Sequence, residues 1–182
     1  MKTLTLLRHA KSSWDDPVAR DFDRPLNARG IRGAKRMGRY LRDEGLQYDH
    51  LVSSPAIRCT ETLDYLWEGM GRSVTPSWDR RIYLASAATL LDVVHDAPDS
   101  AKAVLMCGHN PGFEDLILML VPDRQGDPLR DAVEEKFPTA ALAAIEFDVE
   151  HWSDVKGDSG RFVRLMRPRD LDAELGPVPH GH

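Results

Sequence analysis

Three short apolar runs in this chain end in side chains able to handle an anion. The run at 3–7 stops at Arg8-His9. The run at 50–52 leads into Ser53-Ser54-Pro55, with Arg58 about one helical turn beyond, and the run at 103–107 closes on Gly108-His109. Arginine offers a planar fork that matches two oxygens of a phosphate. A neutral imidazole nitrogen attacks phosphorus without a base to activate it. A second imidazole can donate to an equatorial oxygen and stabilise the charge of the transition state. Carrying the phosphoryl group on nitrogen suits hydrolysis, because water readily cleaves a P–N bond. Singly these residues are ordinary: a histidine after a strand is more often structural, and Arg58 alone would be a helix-surface cation. Their joint placement after three strands is what points to one site.

For those groups to meet, the three runs must be parallel neighbours whose carboxyl ends share one rim, where ligands bind in open α/β sheets. The pattern is consistent with this. After the strand at 3–7 comes a polar loop to about Pro25. Asn27 then caps a helix running to about Glu44, with Gly45 as its stop. Ser54 as cap and Pro55 in the first turn predict a second helix, reaching Gly69 or Gly71. A short strand is expected at 73–76, a loop through Trp78 and Tyr83, and a helix at 86–97. Asn110-Pro111 repeats the cap-and-proline signature for a helix to about Val121. Residues 122–137 read as polar and loop-rich with a short helix, and 140–149 and 161–166 as two strands paired across a turn at 153–160. Strands alternating with helices, plus that late pair, predict a three-layer α/β/α sandwich with a mostly parallel, mixed central sheet. One domain over 1–182 is expected, its tail from Pro168 loosely held.

The bulk properties narrow the function class. Apolar residues make up 42% and charged residues 29%, which describes a globular domain rather than a disordered chain. No apolar stretch approaches a membrane span, and the N-terminus enters a strand with no small-residue cleavage site, so neither membrane insertion nor secretion is expected. Cys59 and Cys107 read as two buried free thiols, and a cytoplasmic location follows. The net charge of −5 is uneven, with 11 Lys and Arg against 4 Asp and Glu in residues 1–42. Five of those cations (Arg32, Lys35, Arg36, Arg39, Arg42) fall opposite Ile31, Ala34, Gly38 and Leu41 on one amphipathic helix, so they read as a solvated face. Aromatic interleaving of the kind single-strand binders use is missing, and no nucleic-acid partner is expected.

Leu7-Arg8-His9-Ala10-Lys11 resembles the Arg-His-Gly/Ala signature of the histidine phosphatase (phosphoglycerate mutase-like) superfamily. Asp23-Arg24-Pro25-Leu26-Asn27-Ala28-Arg29-Gly30, Ser53-Ser54-Pro55-Ala56-Ile57-Arg58 with Glu61-Thr62, and Gly108-His109-Asn110-Pro111-Gly112 resemble its other blocks, in order, between about residues 3 and 121. In detail the set is most similar to the small SixA-type phosphohistidine phosphatases. The resemblance implies a phosphoglycerate mutase-like fold, His9 as a nucleophile forming a covalent phosphohistidine, and Arg8, Arg58 and His109 around the phosphoryl group. Asn27 and Ser12 are placed second at the same pocket. It also implies a metal-independent hydrolase without cofactor, acting on a phosphorylated substrate, with a histidine-phosphorylated signalling protein as the SixA-like partner. Larger members carry a glutamate as general acid where this chain has Trp78-Asp79-Arg80-Arg81-Ile82-Tyr83. Asp79 and Glu114 are the weak substitutes, and a phosphoimidazole needs less help in leaving than a sugar alkoxide.

Rival chemistries fit less well. A cysteine phosphatase needs arginine six positions after its cysteine, but Tyr65 follows Cys59 and Phe113 follows Cys107. The chain has no P-loop and no paired metal-ligand motif, and zinc on His9 and His109 would face two arginines. A small-molecule phosphomonoesterase of the same superfamily, a mutase, or an inactive phosphate-binding module are the remaining alternatives. Specificity is expected to reside in the loops at 12–23 and 123–136, with Trp14, Asp15 and Asp16 candidates for the mouth. Oligomeric state is left open.

Overall fold

The computed structural model describes residues 1–17 and 20–177. A six-stranded sheet forms its centre, in the spatial order β3-β2-β4-β1-β5-β6. β1 (Lys2–Arg8), β2 (His50–Ser53), β3 (Ser77–Trp78) and β4 (Ala103–Gly108) run parallel. β5 (Leu142–Phe147) lies antiparallel to β1, and β6 (Arg161–Met166) antiparallel to β5. The mixed α/β sheet is therefore as expected, with β1 and β4 central.

Alternation along the central strands builds two cores. Leu4, Leu6, Val104 and Met106 face α3 (Ala87–His95), α4 (Gly112–Leu120) and α5 (Pro128–Glu135). Leu7, Leu51, Leu105 and Cys107 face α1 (Ala28–Asp43) and α2 (Ile57–Met70). On α1, Ala34, Met37 and Leu41 are buried, while Arg32, Arg39 and Arg42 stay in solvent, so the basic run is the outer face of a packed helix. Cys59 and Cys107 are both free and buried.

Several boundaries differ from expectation. α2 begins at Ile57 rather than at Pro55, because the Ser54 hydroxyl accepts from the Ala56 N–H at 3.2 Å and holds an extended turn before the helix. α4 begins at Gly112, although the Asn110 side chain still accepts from the Glu114 N–H. The third strand starts after Pro76, which has no N–H to pair, and contributes only Ser77–Trp78 at the sheet edge. β5 and β6 pair as expected, but their connection holds a 3-10 turn at Trp152–Asp154 whose Trp152 is fully buried. The segment from Pro168, expected to trail loosely, forms α6 (Pro168–Leu171) and a further turn. Leu171 packs on the α1/α2 core, and Arg29 donates to the Gly176 carbonyl. The last part of that expected tail, 178–182, lies outside the described residues.

Candidate active site

Because β1, β4 and β2 are parallel neighbours, their carboxyl ends come together, and the register sets Arg8 beside Gly108 and Ser53 beside Cys107. The ladder runs slightly past the strands: the His9 N–H donates to the Gly108 carbonyl at 3.0 Å, and the Ser54 N–H to the Cys107 carbonyl at 3.0 Å. On the other side, Ala140 adopts a left-handed backbone (φ 59°) that turns its N–H onto the carbonyls of Arg8 and His9. The backbone of His9 is thus pinned from both neighbours. His9, Arg58 and His109 are 7%, 2% and 3% exposed, so three titratable or charged groups sit almost out of water at one spot. Such burial is costly unless a partner compensates.

A hydrogen bond settles the His9 tautomer. His9 Nδ1 lies 2.7 Å from the Ala10 carbonyl oxygen. A carbonyl only accepts, so the ring hydrogen is on Nδ1 and the lone pair is on Nε2. Burial holds His9 neutral, and repulsion from His109, Arg8 and Arg58 adds to it against the opposing Ala10 bond, pushing its pKa down to about 3. The ring of His109 lies 5.3 Å from that of His9 between centroids. Its Nε2 is 2.8 Å from Ser54 Oγ, which also accepts from the Ala56 N–H.

Among the described residues, five buried side-chain nitrogens or oxygens lack a hydrogen-bond partner, and three are Arg8 Nε, Arg58 Nε and His109 Nδ1. Buried polar atoms left unsatisfied are rare and destabilising. Here they cluster with the free Nε2 of His9, and an anion with several oxygens would satisfy them at once. Arg8 is also held by donation to the Phe137 carbonyl at 3.0 Å. Burial, and then Arg58, lower its pKa, with Glu114 opposing.

Loop 10–26 closes one side of the site and is clamped onto α2. Thr62 Oγ1 accepts from the Ala10 N–H at 2.9 Å and donates to the Arg58 carbonyl at 2.6 Å, and Glu61 accepts from the Leu26 N–H at 2.8 Å. This gives Glu61-Thr62 its physical role. Gly30 lets the same loop lie flat on α1, since an added Cβ would stand 2.1 Å from the Lys11 carbonyl oxygen.

The structure does not bring every expected residue to the site. The Asn27 side-chain Oδ1 caps α1 by accepting from the Gly30 N–H at 2.8 Å, and its Nδ2 points to the Ser12 carbonyl. Ser12 pairs through its backbone with Leu26. Asp79 is bound bidentately by Arg81, which holds its carboxyl below the usual range, and so is a poor proton donor. Glu114 is half-buried beside Arg8 and bonded to Asn110. Trp14 is 75% exposed, stacked under Arg24 rather than lining the pocket.

Two residues escaped the sequence reading. Asp21 receives both Nη groups of Arg58, through its carbonyl at 2.7 Å and its carboxylate at 3.0 Å, and also the Tyr83 hydroxyl at 2.5 Å. Tyr83 in turn sets its ring against His109, centroids 5.4 Å apart. No spacing rule links them to His9. Among the described residues no group of three or more His, Cys, Asp or Glu side chains could hold a metal ion, and no helix is long and apolar enough to cross a membrane.

An anion cradle at the carboxyl rim of a parallel sheet, with an unprotonated imidazole at its floor, defines a phosphoryl-handling protein. Residues 4–81 match the model of the histidine phosphatase superfamily (branch 1). An uncharacterized protein of Mycobacterium tuberculosis is 32% identical over 164 residues, covering 90% of this chain and all of the relative. The chain belongs to the histidine phosphatase superfamily and is a phosphatase of it. Within that class it is similar to proteins assigned as phosphohistidine phosphatase SixA. The one from Agrobacterium tumefaciens is 27% identical with a TM-score of 0.75, covering 92% of this chain and 98% of the other. The one from Nakamurella multipartitia is 26% identical with a TM-score of 0.78, covering 92% and 96%. A protein histidine phosphatase SixA complexed with tungstate shares the fold at 19% identity and a TM-score of 0.76, covering 93% and 99%.

Proposed function

We propose that the protein is a metal-independent phosphohistidine phosphatase in which His9 is the nucleophile and Arg8, Arg58 and His109 hold the phosphoryl group. The observation that carries this is the His9 tautomer: Nδ1–H is tied to Ala10, and Nε2 is free beside two guanidinium groups and His109. Nε2 attacks phosphorus in line, and the substrate's bond to phosphorus breaks as the new P–N bond forms. Arg8, Arg58 and His109 donate to the equatorial oxygens, where charge accumulates. Phosphorylated on Nε2 and still protonated on Nδ1, the His9 ring is cationic. The Ala10 carbonyl favours that state, which makes the P–N bond easy for water to cleave.

The substrate reading, phosphohistidine on a signalling protein, rests on the similarity to the SixA proteins. The two buried free thiols fit a reducing compartment, and the cytoplasm is the proposed location for one domain spanning 1–182. The test is phosphate release from an aryl phosphate and from phosphohistidine, in EDTA, by the intact protein and by His9→Ala. Turnover of both substrates that survives EDTA and is lost with His9→Ala is the expected result. Loss of turnover in EDTA, or turnover by His9→Ala, would sink the mechanism.

A further inference from the structure

From the geometry at the mouth we infer that Asp21, backed by Tyr83 and Phe22, forms a leaving-group subsite selective for a protonated imidazole. The inference rests on the phosphohistidine reading and deepens it. His9 is at the buried floor, so in-line displacement places the leaving atom on the opposite, outward side of phosphorus. Asp21 is assigned to that side from its neighbours: its side chain is 40% exposed, it is bonded to Arg58 and to the Tyr83 hydroxyl, and the Tyr83 ring lies against His109. A recess of about 320 Å³ opens there, lined by Arg20, Asp21, Phe22, Arg80 and Tyr83. This is ample for a five-membered ring, and the edge-to-face pair of Phe22 and Tyr83 (centroids 5.1 Å apart) gives it an aromatic wall.

The charges around Asp21 decide what it can do. Arg58 and Arg24 face it from α2 and from its own loop, and Tyr83 donates to it. Of the recess cations, Arg20 pairs with Asp23 at 3.0 Å, and Arg80 lies over the Phe22 ring of the recess wall. Burial alone would raise the Asp21 pKa, but the bonds from Tyr83 and Arg58 outweigh it and hold the carboxyl below its usual value. Asp21 is therefore an anion that accepts hydrogen bonds, and it is not the missing general acid.

A phosphoimidazole uses such an acceptor directly. Its ring carries phosphorus on one nitrogen and, when protonated, a hydrogen on the other. With that N–H donated to Asp21 and the cationic ring against the aromatic wall, the protonated form is favoured. His9 Nε2 then supplies the electron pair for the new P–N bond. The old P–N bond breaks with its pair returning to the substrate nitrogen, the proton stays on the other nitrogen, and neutral imidazole departs. An aryl phosphate has no N–H to offer, and its leaving oxygen gains negative charge that Asp21 opposes. Asp21 also competes with any phosphate for Arg58.

The experiment compares kcat/KM for free Nε2-phosphohistidine and for p-nitrophenyl phosphate across pH, in the intact protein and in Asp21→Asn, Asp21→Glu and Tyr83→Phe. Asp21→Asn is expected to lower the phosphohistidine-to-aryl ratio about tenfold or more, through a loss on phosphohistidine and a gain on the aryl ester. Its alkaline decline on phosphohistidine moves to lower pH. Asp21→Glu restores part of the ratio, and Tyr83→Phe shifts it by less in the same direction as Asp21→Asn. An unchanged ratio in Asp21→Asn, with both substrates altered equally, would overturn the inference and leave Asp21 a positioning residue for Arg58. Intact protein that turns over the aryl ester and not phosphohistidine would overturn the substrate reading itself, before any variant is made.

Discussion

The floor and the mouth of the site are built by different means. Arg8, His9 and His109 sit at the ends of adjacent parallel strands, with the main chain at Arg8 and His9 hydrogen-bonded on either side and the His109 carbonyl accepting from the Phe113 N–H. Asp21 and Tyr83 come from irregular segments 62 residues apart, joined by one hydroxyl–carboxylate bond. A strand end places a side chain through the whole sheet and its two cores, whereas a loop residue is placed by a few local bonds. The floor is suited to a chemical step that tolerates little displacement, and the mouth to contacts that vary with the substrate.

That contrast predicts a ranking of effects. Largest, Arg8→Lys and Arg58→Lys should each lower kcat/KM by about a hundredfold, since a point charge cannot replace a fork. Equal activity in either variant would break the account of the floor. Next, His9 should stay unprotonated in mild acid. With its pKa at about 3, the rate of phosphoenzyme formation should not fall between pH 7 and pH 5 through His9. An ordinary histidine would lose about twenty-five-fold. The same shift sets a stability trend. In that window the unfolded chain binds a proton at His9 that the native state does not, so stability falls as pH drops below about 6.5. The contribution is about 1–2 kcal/mol at pH 5, and urea unfolding of His9→Asn should lack it.

Packing under the floor comes third. An added Cβ at Gly108 would lie 2.7 Å from both Ile82 Cγ2 and Phe113 Cζ. Gly108→Ala should cost about 1–3 kcal/mol and lower kcat, as His9 and His109 both depend on that strand end. Smallest, Thr62→Val removes the clamp on loop 10–26. It should cost about 1 kcal/mol and raise KM more than it lowers kcat. A kcat loss larger than that of Gly108→Ala would reverse the ranking.

The same contrast governs what could be read in advance. Parallel strands ending in Arg8-His9, Ser53-Ser54 and Gly108-His109 could be read from apolar runs, because burial on both faces leaves that mark. Arg58 could be placed because it follows a strand end by one helical turn. The helix starts at Ile57 and Gly112 were anticipated too early: Ser54 spends its side chain on a turn just ahead of α2, and Asn110 reaches past Pro111 to the Glu114 N–H inside α4. Asn27 was expected at the phosphate pocket as well as at the cap, but its two polar atoms face Gly30 and Ser12. Asp21 left no trace in the sequence pattern: it is one of four acidic residues in a polar loop, and only the fold brings it to Arg58 and Tyr83. Docking of 168–177 was hidden for a similar reason, since it depends on Leu171 and on the Gly176 carbonyl meeting α1.

The central claim is that phosphate passes through His9. The most direct measurement is a rapid quench of the intact protein during turnover of 32P-labelled phosphohistidine, followed by alkaline digestion and mapping of the label. The account predicts acid-labile, base-stable phosphate on the peptide containing His9, formed and lost at rates compatible with turnover. Label on another residue, or turnover with no labelled intermediate, would contradict it.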